Sequence, residues 1–210
     1  MPSGRIIFLN GTSSAGKTTL AHALQEQLDA PWVHIALDQF RDGLPARYRG
    51  LNAPPGTTGD LGLNVVPVND AGTPFTRIQF GEVGTTVLKG MRRAIAAMAQ
   101  AGNNVIIDDI ILEEDFLADY LEVLRDLQVY FVGVRCPLSV IDKRERARPG
   151  RFPGTAAGHF DICHAHGVYD VEVDTSVQSP SECAASVIEF MNSGAPNAFA
   201  RLLSHQCNRD

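Results

Sequence analysis

Apolar runs of strand length alternate with segments of helical period along most of the chain. Arg5 to Asn10 reads as a buried strand, and Lys17 to Leu28 follows with Leu20, Leu24 and Leu28 on one stripe, four residues apart. Pro31 introduces a second strand, Trp32 to Leu37. Val83, Val87, Met91, Ile95 and Met98 recur at three- and four-residue steps, which predicts a long amphipathic helix starting near Glu82, with Gly102 as its C-terminal cap. Val105 to Asp108 is a short apolar strand. Phe116, Tyr120, Leu124 and Leu127 mark another helix, and Val129 to Val134 another strand. Ser139 to Arg148 reads as a highly charged helix and Val171 to Asp174 as a fifth strand. Ser179-Pro180-Ser181-Glu182 has the form of a capping box with proline at the first helical position, opening a final helix. The residues after Gly194 are expected to form a short tail.

The stretch from Gly43 to Gly81 breaks this rhythm. It holds five of the twelve prolines and many glycines, so it is loop-rich. Within it, Leu61 to Val68 and Phe75 to Phe80 flank Asn69-Asp70-Ala71-Gly72, which predicts a hairpin. Strand and helix alternation elsewhere predicts an α/β fold, with a five-stranded, mainly parallel sheet flanked by helices. Such sheets bind ligands at the carboxyl ends of their strands. The expected organisation is one domain over 1–194, carrying an acceptor-side insertion at 43–81 and a lid at 141–160, followed by a tail at 195–210.

Composition adds mostly exclusions. The chain has 210 residues, 44% of them apolar, and a formal charge of −6. That suits one domain with a complete core and argues against a general nucleic-acid binder, which would carry a basic face. No apolar run approaches the roughly 18 residues of a membrane helix, and Ile6 to Leu9 is too short for a signal peptide, so no membrane role is expected and the location expected is cytoplasmic. The four cysteines, Cys136, Cys163, Cys183 and Cys207, are far apart in sequence and contain no CxxC pair; reduced, mostly buried thiols are expected.

The strongest chemical signal is Gly11-Thr12-Ser13-Ser14-Ala15-Gly16-Lys17-Thr18, an unbroken G-x-x-x-x-G-K-[ST] between a predicted strand and a predicted helix. Glycines at 11 and 16 let successive backbone N–H groups surround a phosphate, and the helix that begins there adds its positive end. Lys17 reaches the β- and γ-phosphates, and the Thr18 hydroxyl ligates Mg²⁺. No Asn-Lys-x-Asp guanine reader is present, and the compact chain with a late arginine cluster fits a small kinase better than a motor or transporter ATPase.

Asp38 lies just past the second strand, where a carboxylate can take the proton of an attacking hydroxyl or hold Mg²⁺ through water. Asp108 ends an apolar strand as a Walker B carboxylate does. Asp109 follows it, and alternation along a strand points only one of the two at the phosphates; Asp42 reads as structural. Lys143, Arg144, Arg146, Arg148 and Arg151 crowd nine positions of an acidic chain. A lid over triphosphate would use one or two of them, with Arg144 and Arg148 four apart on one face, to stabilise transferring charge and exclude water. The alternative is a solvated helix with Asp142–Arg146 and Glu145–Arg148 pairs. His159, His164 and His166 near Cys163 suit an acceptor site better than a zinc site.

At these residues the sequence resembles the chloramphenicol phosphotransferases. The resemblance lies in Ile7 to Gly11, Ser13 to Lys17, Leu37-Asp38, Ile106 to Asp109, Val132 to Cys136 and Tyr169 to Thr175, in order and at similar spacing from Arg5 to about Met191. It implies a P-loop kinase fold, ATP with Mg²⁺, and transfer of the γ-phosphate to an alcohol, with the aspartate matching Asp38 as general base. The lid arginines match Arg144 and Arg148 less closely, and Leu44 to Phe80 departs from the family pattern. Two further readings stay open: a small-metabolite kinase of shikimate or gluconate type, for which Arg41, Arg47 and Arg49 would serve an anionic acceptor, and a non-catalytic nucleotide-binding module. Leu61, Val65, Phe75, Ile78 and Phe80 either wall the acceptor pocket or form the core of the hairpin.

Overall fold

The computed structural model of the chain describes residues 2–70, 73–147 and 154–207. Strand β1 (Ile6–Asn10) is buried at every position and leads through the glycine-rich loop into helix α1 (Lys17–Gln27). Strand β2 (Trp32–Ala36) passes directly into helix α2 (Leu37–Gly43). The sequence pattern predicts strand through Leu37; instead, the Gln39 side-chain oxygen accepts the Ala36 N–H at 3.0 Å, and the helix starts there. A short strand β3 (Arg49–Leu51), helix α3 (Thr58–Leu61) and the hairpin of β4 (Leu63–Asp70) and β5 (Thr73–Phe80) fill the loop-rich stretch. The hairpin is in register from Leu63↔Phe80 to Asp70↔Thr73; Ala71 and Gly72 of the expected turn lie outside the described residues.

Helix α4 (Glu82–Gln100), strand β6 (Asn104–Asp109), helix α5 (Glu114–Val123), strand β7 (Val129–Arg135), helices α6 (Leu138–Arg146) and α7 (Thr155–His159), strand β8 (Val171–Asp174) and helices α8 (Pro180–Ser193) and α9 (Ala198–Cys207) complete the order. Five strands form one sheet in the order β2-β6-β1-β7-β8, with every neighbouring pair parallel. β3, β4 and β5 form a separate small sheet.

Alternation along β1 divides the core. Ile6 and Phe8 join Leu88, Met91, Tyr120 and Phe131 on the face covered by α4 and α5, while Ile7 and Leu9 join Leu20, Leu24, Ala184 and Val187 on the face covered by α1 and α8. Each such side chain, fully removed from water, contributes about 1.5–3 kcal/mol. The capping box of α8 forms as its sequence predicts: Ser179 Oγ accepts the Glu182 N–H, and Glu182 Oε2 accepts the Ser179 N–H at 2.7 Å. The residues after Gly194, expected as a tail, form α9 instead. Ala198, Phe199 and Leu202 are buried, the Phe199 ring lies 5.3 Å from that of Phe131, and Asp170 caps the helix by accepting the N–H groups of Asn197 and Ala198. Among the described residues no helix is long and apolar enough to cross a membrane.

The order of strands fixes where ligands lie. β1 is central, so the loop that follows it opens at the middle of the sheet's carboxyl edge. β2, leading to Asp38, is at one border, and β8, leading to Thr175, is at the other.

Candidate active site

The loop from Gly11 to Thr18 has three strained or crowded positions. Gly16 sits at φ +100°, a left-handed angle that favours glycine, and Ser14 is also left-handed at φ +61°. Gly11 is needed for a different reason from the one the motif suggests. A Cβ there would come within 2.5 Å of the Val134 carbonyl oxygen, so the loop leaves the sheet against β7 with no room for a side chain. The Ser14 hydroxyl is sealed from solvent and has no partner among the described residues. Lys17 Nζ donates to the carbonyls of Gly11 at 2.8 Å and Thr12 at 3.1 Å, which folds it back over the loop.

Register brings the carboxylates to this loop. Asp108 lies between Leu9 and Ala36 across β6, and its Oδ2 accepts the Thr18 hydroxyl at 2.6 Å, while Oδ1 lies 3.8 Å from Lys17 Nζ. His34 Nε2 lies 3.5 Å away but is not aligned for a hydrogen bond. Burial pushes the Asp108 carboxyl up, yet the imidazole, the Lys17 charge and the Thr18 hydroxyl outweigh it and hold the group below its ordinary range. Thr18 and Asp108 therefore offer adjacent hard oxygens, the donor type Mg²⁺ prefers. Asp109 points the other way, into the core. It accepts the Tyr120 hydroxyl at 2.6 Å and the Ile110 N–H at 2.7 Å, and burial pushes it up to about 6. Alternation along β6 thus separates a site carboxylate from a structural one.

Asp38 is in the first turn of α2. Its side chain is about half exposed, and it accepts from Arg41 Nη1 at 2.8 Å. Asp42 pairs with Arg41 and lies 3.5 Å from Arg49, and the Arg47 guanidinium stacks on Tyr48. Arg144 projects from α6 toward the opposite border. Its guanidinium donates to the Thr175 carbonyl at 2.7 Å and hydroxyl at 2.9 Å, and reaches the Ala15 carbonyl at 3.4 Å. With Ser14, Gly16, Thr175, Gln178 and Pro180 it lines a cavity of about 400 Å³. Arg144 thus meets the phosphate loop at Ala15, and among the described residues no hydrogen bond or ion pair is seen between it and Lys17 or Asp108. Arg148 and Arg151 lie outside the described residues.

Sequence reasoning missed several groups that build the site. Asn10, wholly buried, donates to the Cys163 carbonyl and the Tyr169 hydroxyl, each at 2.6 Å, and accepts the Ile111 N–H. It ties the start of the loop to the segment behind it. His164 and His166 belong to this network through Tyr169 and Asn10. Burial and the Arg135 charge hold both rings down at about 4, so they stay neutral. Among the described residues no group of His, Cys, Asp or Glu is placed to hold a metal by itself. Glu145, which the alternative of a solvated helix would pair with Arg148, is 3% exposed and accepts the N–H groups of Gly154 and Ala156, which fixes the start of α7. The Thr12 hydroxyl donates to the Ala156 carbonyl, and Thr76 N–H of β5 donates to the Gly154 carbonyl. Helix α7 therefore joins the loop to the hairpin. Of the residues read either as acceptor wall or as hairpin core, Phe80 packs edge-on to Phe116 against the main core, and Leu61 is exposed.

The chain and its fold are similar to known proteins. The chain is 35% identical over 205 residues to the Mycobacterium tuberculosis protein named "Putative O-phosphotransferase Rv2636", a span covering 96% of this chain and 89% of that one. Its fold is similar to that of the M. tuberculosis APS kinase CysC in complex with AMPPNP and APS, with a TM-score of 0.63 at 18% identity over 91% of this chain and 99% of that one. It is also similar to the Deinococcus radiodurans tunicamycin resistance protein, with a TM-score of 0.59 at 17% identity (92% and 98% covered), and to a gluconokinase from Sinorhizobium meliloti, with a TM-score of 0.54 at 18% identity (100% and 99% covered). The chloramphenicol phosphotransferase-like family matches residues 4–192, from just before β1 to the end of α8, and it is to this family of P-loop phosphotransferases that the chain belongs.

Proposed function

We propose that this phosphotransferase moves the γ-phosphate of ATP to an alcohol of a small, uncharged molecule, plausible acceptors being chloramphenicol and similar antibiotics. The observation that carries the reading is the cluster of Lys17, Thr18 and Asp108 at the central loop, with Asp38 beyond one neighbouring strand and a cavity beyond the other. A triphosphate crossing the loop would put its nucleoside in the cavity by Arg144 and Thr175 and its terminal phosphate toward Lys17 and β2. Arg144 then serves the nucleoside end rather than the transferring group.

Thr18 and Asp108 would hold Mg²⁺, which when bound neutralises charge on the phosphates. Lys17 would leave the Gly11 and Thr12 carbonyls for phosphate oxygens, and the dry Ser14 hydroxyl would gain a partner. Asp38 takes the proton of the acceptor hydroxyl as its oxygen attacks phosphorus in line with departing ADP. The paired states of Arg41 and Arg49 weigh against an anionic acceptor of the shikimate or gluconate type, because Asp38 and Asp42 already answer their charge.

The test is incubation with ATP, Mg²⁺ and a panel of hydroxylated compounds beginning with chloramphenicol, followed by mass spectrometry for a phosphorylated product. Acceptor-dependent ADP release supports the kinase; nucleotide binding with no acceptor effect supports a non-catalytic module. Asp38→Asn should bind ATP as the wild type does while transferring phosphate about 10²- to 10⁴-fold more slowly.

A further inference from the structure

His34 stands on the border strand β2, two residues before Ala36, which is the register partner of Asp108. Trp32, at the same alternation, joins the core beneath α1, and the His22 ring of α1 meets the His34 ring edge-on at 5.5 Å. The imidazole is thus packed between strand and helix, with its side chain 11% exposed and Nε2 sealed from solvent. Nε2 has no hydrogen-bond partner among the described residues, although Asp108 Oδ2 is only 3.5 Å away. A dry ring nitrogen left one small movement short of a carboxylate calls for an explanation, because an unmade bond of this kind is costly.

A competitor holds the bond open. Asp108 Oδ2 already accepts the Thr18 hydroxyl at 2.6 Å, and Lys17 Nζ lies 3.8 Å from Oδ1. Both groups are engaged elsewhere in the function proposed above, which sends Lys17 to phosphate oxygens and the Thr18 hydroxyl to the cation. Asp108 is 7% exposed, so once they leave, one of its oxygens faces the interior with little water to replace them. His34 is the neighbour that stays. It belongs to a strand with no part in the phosphate loop, and parallel register with β6 holds it beside the carboxylate.

We propose that His34 is a positioning residue for the metal-binding carboxylate: in the loaded site its Nε2–H donates to Asp108 Oδ2 in place of Thr18 and keeps the other oxygen turned to the cation. The inference rests on the kinase reading. His34 touches neither nucleotide nor acceptor and acts only through Asp108, as the outer partners of metal-binding carboxylates do. The role requires the ring proton to sit on Nε2, and no covalent bond changes at the ring.

The full chain tests this without any acceptor. Mn²⁺, followed by electron paramagnetic resonance, is titrated into wild type, His34→Ala and His34→Gln, each saturated with ADP. The expected result is an affinity for Mn²⁺ about tenfold lower in His34→Ala, with partial recovery in His34→Gln, which keeps an N–H donor. Affinity for ADP without metal should be the same in all three. In wild-type protein carrying ¹⁵N-labelled histidine, His34 should show a proton on Nε2 that moves downfield when Mg²⁺ joins the ADP complex, a readout that needs no variant to fold. Unchanged Mn²⁺ affinity in both variants, an equal loss of metal-free ADP affinity, a bare Nε2, or an Nε2–H that does not move with Mg²⁺ overturns the assignment while leaving the kinase reading intact. Wild-type protein that does not bind ADP with or without metal overturns both.

Discussion

The two sides of the site are made differently. The nucleotide side is one unbroken piece of chain: β1, the loop and α1 together span Ile6 to Gln27, and their partners Asp108 and Thr175 arrive through parallel register. The side proposed for the acceptor is assembled from parts far apart in sequence. A hairpin near residue 70 meets a five-residue helix near residue 157, and that helix meets the loop through the Thr12 hydroxyl. A phosphate needs only backbone N–H groups and one cation, which a short motif supplies. An acceptor pocket has to be shaped, and shape comes from tertiary contact.

Substitutions can sharpen that contrast. Lys17→Ala should cost most, lowering transfer about 10²- to 10³-fold for every acceptor tried, as measured by ADP release. Gly158→Val should separate the two sides. A Cβ at Gly158 already falls 2.6 Å from the Thr76 carbonyl and 2.8 Å from the Phe75 ring, so the larger residue must push hairpin and helix apart. A displacement of about 1 Å can cost about 10²-fold in rate, and the loss should appear in kcat/KM for the acceptor while affinity for ADP holds. Equal weakening of ADP would mean that the sides are not separable. Arg144→Ala should have the smallest effect, raising the KM for ATP about tenfold with little change in kcat, because its hydrogen bonds frame the cavity and not the reacting end. A fall in kcat alone would return Arg144 to the transferring phosphate.

The same contrast explains what could be read from sequence. The phosphate loop, the parallel sheet and the Ser179 capping box rest on residues a few positions apart, so pattern suffices. The choice between Asp108 and Asp109 needed the direction of alternation in β6, which sequence narrows to two options and structure settles through Thr18 and Tyr120. Glu145 was beyond reach, because a charged residue on a charged helix gives no sign that its partners are backbone groups; His159 was singled out only as one of three histidines suited to an acceptor site, with no sign that its ring finds no partner among the described residues. Helix α9 was missed for a similar reason: its apolar face is three buried residues and the half-buried Leu203, and its cap, Asp170, lies 27 positions upstream.

That cap has a practical side. The family match stops at residue 192, yet Asp170 also accepts the Phe131 N–H in the main sheet, and Phe199 closes the ring stack with Phe8 and Phe131. A shortened protein trimmed where the family match ends would uncover aromatic carbon directly beneath the strand that carries the phosphate loop, and would be expected to clump or melt early for reasons unrelated to chemistry.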